Sequence, residues 1–107
     1  MSARVSKKSK TSKPTIVLLK SDSCGHCNNF KPTWDDMCAF VQDTGVDTRT
    51  IDYGDVDRVE PGKLRDRLAS VTGVPFVAMV TRDGEVVPFD DARDMGHLLH
   101  FMIRNLA

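Results

Sequence analysis

The sequence predicts an α/β fold in which a central mixed four-stranded sheet is flanked by helices, in the order β-α-β-α-β-β-α. Three observations carry this expectation. Short apolar runs alternate with segments of helical period, as in βαβ units. An Asp83-Gly84 turn sits between two strand-like runs. Cys24 and Cys27 fall where the first strand gives way to the first helix.

Thr15 to Lys20 carries the four-residue apolar run Ile16-Val17-Leu18-Leu19 and reads as a buried strand. The first helix should run from about Cys24, with Asp22 or Ser23 as N-cap, to about Asp43, because Phe30, Trp34, Met37 and Val41 recur at helical spacing. Pro32 should kink it by removing a backbone donor. After Gly45 a second strand is expected over Asp47–Asp52, then an acidic loop over Tyr53–Glu60. A second helix follows from about Pro61, whose fixed φ suits a first helical position, to Val71. Strands near Phe76–Thr81 and Glu85–Pro88 form a hairpin. Asp90 or Asp91 should cap the last helix, with Met95, Leu98, Leu99, Met102, Ile103 and Leu106 on its apolar face. The first β-α-β unit implies parallel pairing with helices on both faces of the sheet.

At 107 residues the chain makes one domain, expected over residues 15–107. Its charge is zero overall but uneven: residues 1–20 contain six basic side chains and no acid, so the remainder carries −6. Residues 1–14, rich in Ser and Lys, read as a disordered basic tail. That tail is the one place where nucleic acid could be contacted, and without aromatic side chains among its lysines it reads as a solvated segment instead. No apolar stretch nears the length needed to span a membrane, and no export signal is visible, so the expected location is cytoplasmic and the expected state a monomer.

The motif with chemistry in it is Cys24-Gly25-His26-Cys27. On a helix its two cysteines lie one turn apart, within the Cα separation of roughly 4.4–6.8 Å that a disulfide tolerates. The unpartnered amides of a helix N-terminus favour a thiolate there, which makes Cys24 the expected nucleophile and Cys27 the resolving thiol, with His26 a further aid when protonated. Structural zinc would need a second C-x-x-C, which the chain lacks; no metal is expected. Cys38, eleven residues beyond Cys27, lies about 16 Å along a helix and reads as a packed side chain. His97 and His100 share a helix face without a third ligand nearby and read as surface or boundary residues.

Cys24-Gly25-His26-Cys27 followed by Asn28-Asn29-Phe30-Lys31-Pro32 resembles the active-site segment of protein disulfide isomerases and thioredoxins. Gly73-Val74-Pro75, the Arg82-Asp83-Gly84-Glu85 turn and the closing Phe101 to Ala107 resemble the C-terminal half of thioredoxin. The resemblance implies a thioredoxin-like fold with a cis-proline at Pro75 facing the cysteines, Gly73, Val74 and Pro75 as substrate platform, and thiol–disulfide exchange on protein disulfides without a metal or organic cofactor. It also implies partners: protein disulfide substrates and a reductase or oxidant that recycles the pair. Two positions depart from the family: Ser23 replaces a tryptophan, and Leu18 replaces a buried acid that takes the proton of the resolving cysteine. In length the chain is closer to glutaredoxins. That opens a glutathione-dependent alternative, with Lys20 and Asp90-Asp91 in places loosely like glutathione contacts. A third alternative is a non-catalytic binding module using the groove near Pro75.

Overall fold

The computed structural model describes residues 13–106. Most of the expected basic tail, residues 1–12, lies outside the described residues, as does Ala107. The elements are β1 (Thr15–Lys20), α1 (Gly25–Val41), β2 (Asp47–Asp52), a 3-10 segment (Tyr53–Arg58), α2 (Lys63–Ala69), β3 (Phe76–Val80), β4 (Val86–Pro88) and α3 (Met95–Arg104). The sheet order is β2-β1-β3-β4, with β1 parallel to β2 and antiparallel to β3, and β3 antiparallel to β4. Both the fold class and the element order are those the sequence predicts.

β1 is central because it is apolar on both faces. Ile16 and Leu18 enter a core formed with Phe30, Trp34 and Met37 of α1 and Leu98, Phe101 and Met102 of α3. Val17 and Leu19 enter a smaller core on the opposite face with Ile51, Val59 and Leu68. A strand buried on both sides reads as a continuous apolar run rather than an alternation. Each large side chain removed completely from water, such as Met37 or Leu98, contributes about 1.5–3 kcal/mol of hydrophobic stabilisation. Ahead of β1, Pro14 is already fully buried and its carbonyl accepts from the Asp47 amide at 3.0 Å.

Several boundaries differ from the sequence expectation. α2 starts at Lys63, not Pro61, because Gly62 occupies the N-cap at φ 154°, a conformation that favours glycine, and its carbonyl accepts from Asp66. α2 also ends at Ala69, short of Val71. The expected loop over Tyr53–Glu60 contains a 3-10 helix, capped by Asp52, whose carboxylate accepts from the Gly54 amide at 3.3 Å. α3 is capped by Asp94, not Asp90 or Asp91: Asp94 accepts from the His97 amide at 2.9 Å, whereas Asp91 accepts from Ala92 within the loop. Ile103 is 64% exposed, since it stands five residues from Leu98, about 140° around the helix. Phe101, absent from the predicted face, is buried in its place and packs edge-on against Phe89.

Candidate active site

The segment between β1 and α1 places the cysteines. α1 runs from Gly25, and Cys24 itself is the N-cap, with extended backbone (φ −96°, ψ 122°) and a carbonyl that accepts from Asn28 at 3.1 Å. Neither Asp22 nor Ser23 caps the helix. Lys20 draws the Asp22 carboxylate aside, and the Ser23 hydroxyl pairs with that of Ser21 at 3.1 Å. With no side-chain oxygen on them, the first-turn amides of α1 are left for the Cys24 sulfur. Pro32 lies inside α1 without ending it.

The two thiols occupy different surroundings. Cys24 is half-buried, and hydrogen bonding from the Cys27 backbone, then from the Cys27 side chain, holds its pKa below the ordinary thiol value; the His26 amide and the Arg93 charge act in the same direction. Cys27 is 7% exposed, and burial pushes its pKa up, opposed by the Ser21 amide, which donates to Cys27 Sγ at 3.4 Å. One thiol is thus biased toward thiolate and its neighbour toward the protonated form. Thiolate is the nucleophilic species, so Cys24 is the more readily activated of the two.

The loop before β3 closes the site. The Val74-Pro75 peptide bond is cis, Pro75 is buried, and the Cys24 thiol donates to the Val74 carbonyl at 3.6 Å. Residues fifty positions apart in sequence therefore meet, with Val74 anchored by packing on the smaller core. Gly25, His26 and Gly73 are exposed beside this contact, and a Cβ at either glycine would meet nothing within 4 Å.

Arg93 was not among the residues singled out from sequence. It stands exposed in the loop before α3, and its charge lowers the pKa of both Cys24 and Cys27. A lone arginine in an acidic loop carries no sequence signal; only the chain's return past the cysteines gives it a role. Leu18 is 5% exposed and lies in the larger core. Lys20 is held by Asp22 and by Asp52 at 3.6 Å. Cys38 packs half-buried against the larger core, and burial raises its pKa. His97 pairs with Asp94 at 2.8 Å. Among the described residues, no group of three His, Cys, Asp or Glu side chains is placed to hold a metal ion.

Comparison with known proteins agrees with this geometry. A family model described as thioredoxin matches residues 3–104. Protein disulfide-isomerase tigA of Aspergillus niger is 29% identical over 89 residues, covering 81% of this chain and 24% of that protein. Bloodstream-specific protein 2 of Trypanosoma brucei brucei is 26% identical over 95 residues, covering 89% of this chain and 18% of that protein. The chain thus spans a quarter or less of these curated relatives. Among solved structures, the J-Trx1 fragment of ERdj5 superposes with a TM-score of 0.71 at 20% identity, covering 97% of this chain and 49% of that one. Fasciola hepatica thioredoxin gives 0.65 at 19% identity, covering 92% and 86%. At these identities the structural matches show a shared fold. The family match over nearly the whole chain, with a C-x-x-C pair at the head of α1, places this protein in the thioredoxin family.

Proposed function

We propose that the chain exchanges thiols with disulfides in other proteins through Cys24 and Cys27. The observation that carries this reading is the asymmetry of the pair: Cys24 is half-buried, lowered in pKa and in contact with Val74, while Cys27 is buried and raised in pKa. Cys24 thiolate attacks a target sulfur, the mixed disulfide lies against Val74-Pro75, and Cys27 then displaces the target thiolate and closes the Cys24–Cys27 disulfide. A reductase or oxidant resets the pair, and the exchange itself uses no metal or organic cofactor. The chemistry of the relatives' names supports the reading, since one is a protein disulfide-isomerase. The glutathione-dependent alternative draws no support from Lys20, whose ammonium is engaged by Asp22 and Asp52.

Insulin-disulfide reduction tests it. Cys24→Ser should abolish activity, and Cys27→Ser should accumulate mixed disulfides that survive denaturing electrophoresis without reductant. As pH rises, alkylation of Cys24 by iodoacetamide should switch on at lower pH than alkylation of an unperturbed thiol, because its pKa is lowered. Activity that persists in Cys24→Ser overturns the proposal, and activity that requires glutathione moves it to the glutaredoxin alternative.

A further inference from the structure

Cys27 must lose a proton before it can displace a target, yet its sulfur is buried and the side chain beside it on β1, Leu18, offers no acceptor. A cavity of about 300 Å³ opens on Cys27 between β1, α1 and β2. Its walls include Leu18, Trp34 and Thr50, and its charged lining consists of Lys20, Asp22, Lys31 and Asp35. Those four charges are paired: Lys20 with Asp22, and Lys31 with Asp35 at 2.8 Å. Both carboxylates are therefore engaged by ammonium groups. The other charged or titratable groups acting on Cys27 are Cys24 and, from the loop before α3, Arg93. Water occupies about 30 Å³ per molecule in the liquid, so the cavity has room for several waters or for one small organic base.

We propose that this cavity is the proton exit of Cys27, through which water or a small neutral base from solvent takes the thiol proton during the resolving step. The inference rests on the exchange chemistry proposed above. The base accepts the Cys27 proton; the resulting thiolate attacks Cys24 Sγ in the mixed disulfide; the Cys24–Cys27 bond forms as the bond between Cys24 and the target breaks. The target leaves as a thiolate and takes a proton from solvent. The protein pair is oxidised by two electrons and the target disulfide is reduced by two. Lys20, Lys31 and Asp35 line the cavity, and Trp34, on its wall, donates from Nε1 to Thr50 Oγ1 at 3.0 Å.

The two steps separate in a stopped-flow reaction of reduced protein with one equivalent of dithiobis-nitrobenzoate, using the Cys38→Ser variant so that a third thiol consumes no reagent. Cys24 releases the first coloured thiolate and Cys27 expels the second. At fixed pH and ionic strength, the second phase should accelerate about threefold or more as imidazole is raised, within the range of general-base catalysis, while the first phase stays constant. A bulky sulfonated buffer of matching pKa should leave the second phase nearly unchanged, because it does not fit the cavity. A second phase that is flat in imidazole, or equally sensitive to the bulky base, overturns the inference. Leu18→Asp sharpens the test by placing a carboxylate on the cavity wall: the second phase should become fast and indifferent to imidazole, and retained dependence counts as refutation. The wild-type comparison of base sizes decides the matter whether or not that variant folds. Absence of the first phase would instead refute the exchange chemistry itself.

Discussion

The two faces of the sheet carry different halves of the site. On one face, α1 and α3 close over twelve buried residues, and α1 brings the cysteines; on the other, a core of five buried residues supports Val74, which Cys24 touches. The Cys24 thiol thus rests on the helix over the larger core and its contact partner Val74 on the smaller one. The positions of the two residues are in this way set by different packing. Damage to one face should therefore be distinguishable from damage to the other.

Leu98→Ala and Leu68→Ala test this directly. Both side chains are fully buried. Leu98 lies deep in the larger core, where neighbours from the sheet and two helices resist collapse, so truncation should cost about 3–5 kcal/mol in urea unfolding. Leu68, on the short α2 in the smaller core, should cost about 2–3 kcal/mol. In the folded fraction, Leu68→Ala should lower kcat/KM for protein substrates several-fold and leave the Cys24 alkylation rate unchanged, because it loosens the core under Val74. Equal costs, or an alkylation rate that falls with Leu68→Ala, would break the comparison.

What the sequence revealed follows the same division. Local signals were legible: Ile16-Val17-Leu18-Leu19 could hardly be other than a strand buried on both faces, Asp83-Gly84 made the hairpin turn, with Gly84 at φ 87°, and Cys24 and Cys27 announced themselves by spacing. The cap positions were not legible. The loop of residues 90–94 contains three aspartates, and which one caps α3 depends on how Leu98 and Met102 must face the core. Likewise Ser23 and Asp22 both look like caps, and neither acts as one because Lys20 and Ser21 engage them first. Arg93 was missed for a related reason, since its effect on the cysteines arises from tertiary proximity alone.

A smaller effect probes the seam at the cavity wall. Trp34 is 3% exposed and its indole N–H donates to Thr50 Oγ1 at 3.0 Å. Thr50→Val keeps the shape and removes the acceptor, which should cost about 1 kcal/mol, the low end for an orphaned donor, since the adjoining cavity lets water replace the bond. Trp34 is the only tryptophan, so its fluorescence reports the change. A red shift with little loss of stability is the expected signature of water reaching the indole; a loss comparable to that of Leu68→Ala would mean that the cavity is closed to solvent.

The smallest effect lies at the N-terminus of α3, where the paired His97 and Asp94 side chains stand exposed to solvent. His97 is raised in pKa by the hydrogen bond and charge of Asp94, while Asp94 is lowered mainly by the His97 amide it accepts from and then by the His97 ring. The signs give the window. The His97 contribution is fully present below the unfolded histidine value of about 6.5 and is lost as pH rises through the higher folded value. The Asp94 contribution is present above its unfolded value of about 3.9 and is lost as pH falls through the lower folded one. His97→Ala keeps the backbone amide that Asp94 caps, so its urea midpoint should fall below wild type in mildly acidic solution and converge with it in alkaline solution. Asp94→Ala removes both the cap and the pair and should stay below wild type in both. A His97→Ala deficit that is constant across pH would show that the ring acts by packing rather than by charge.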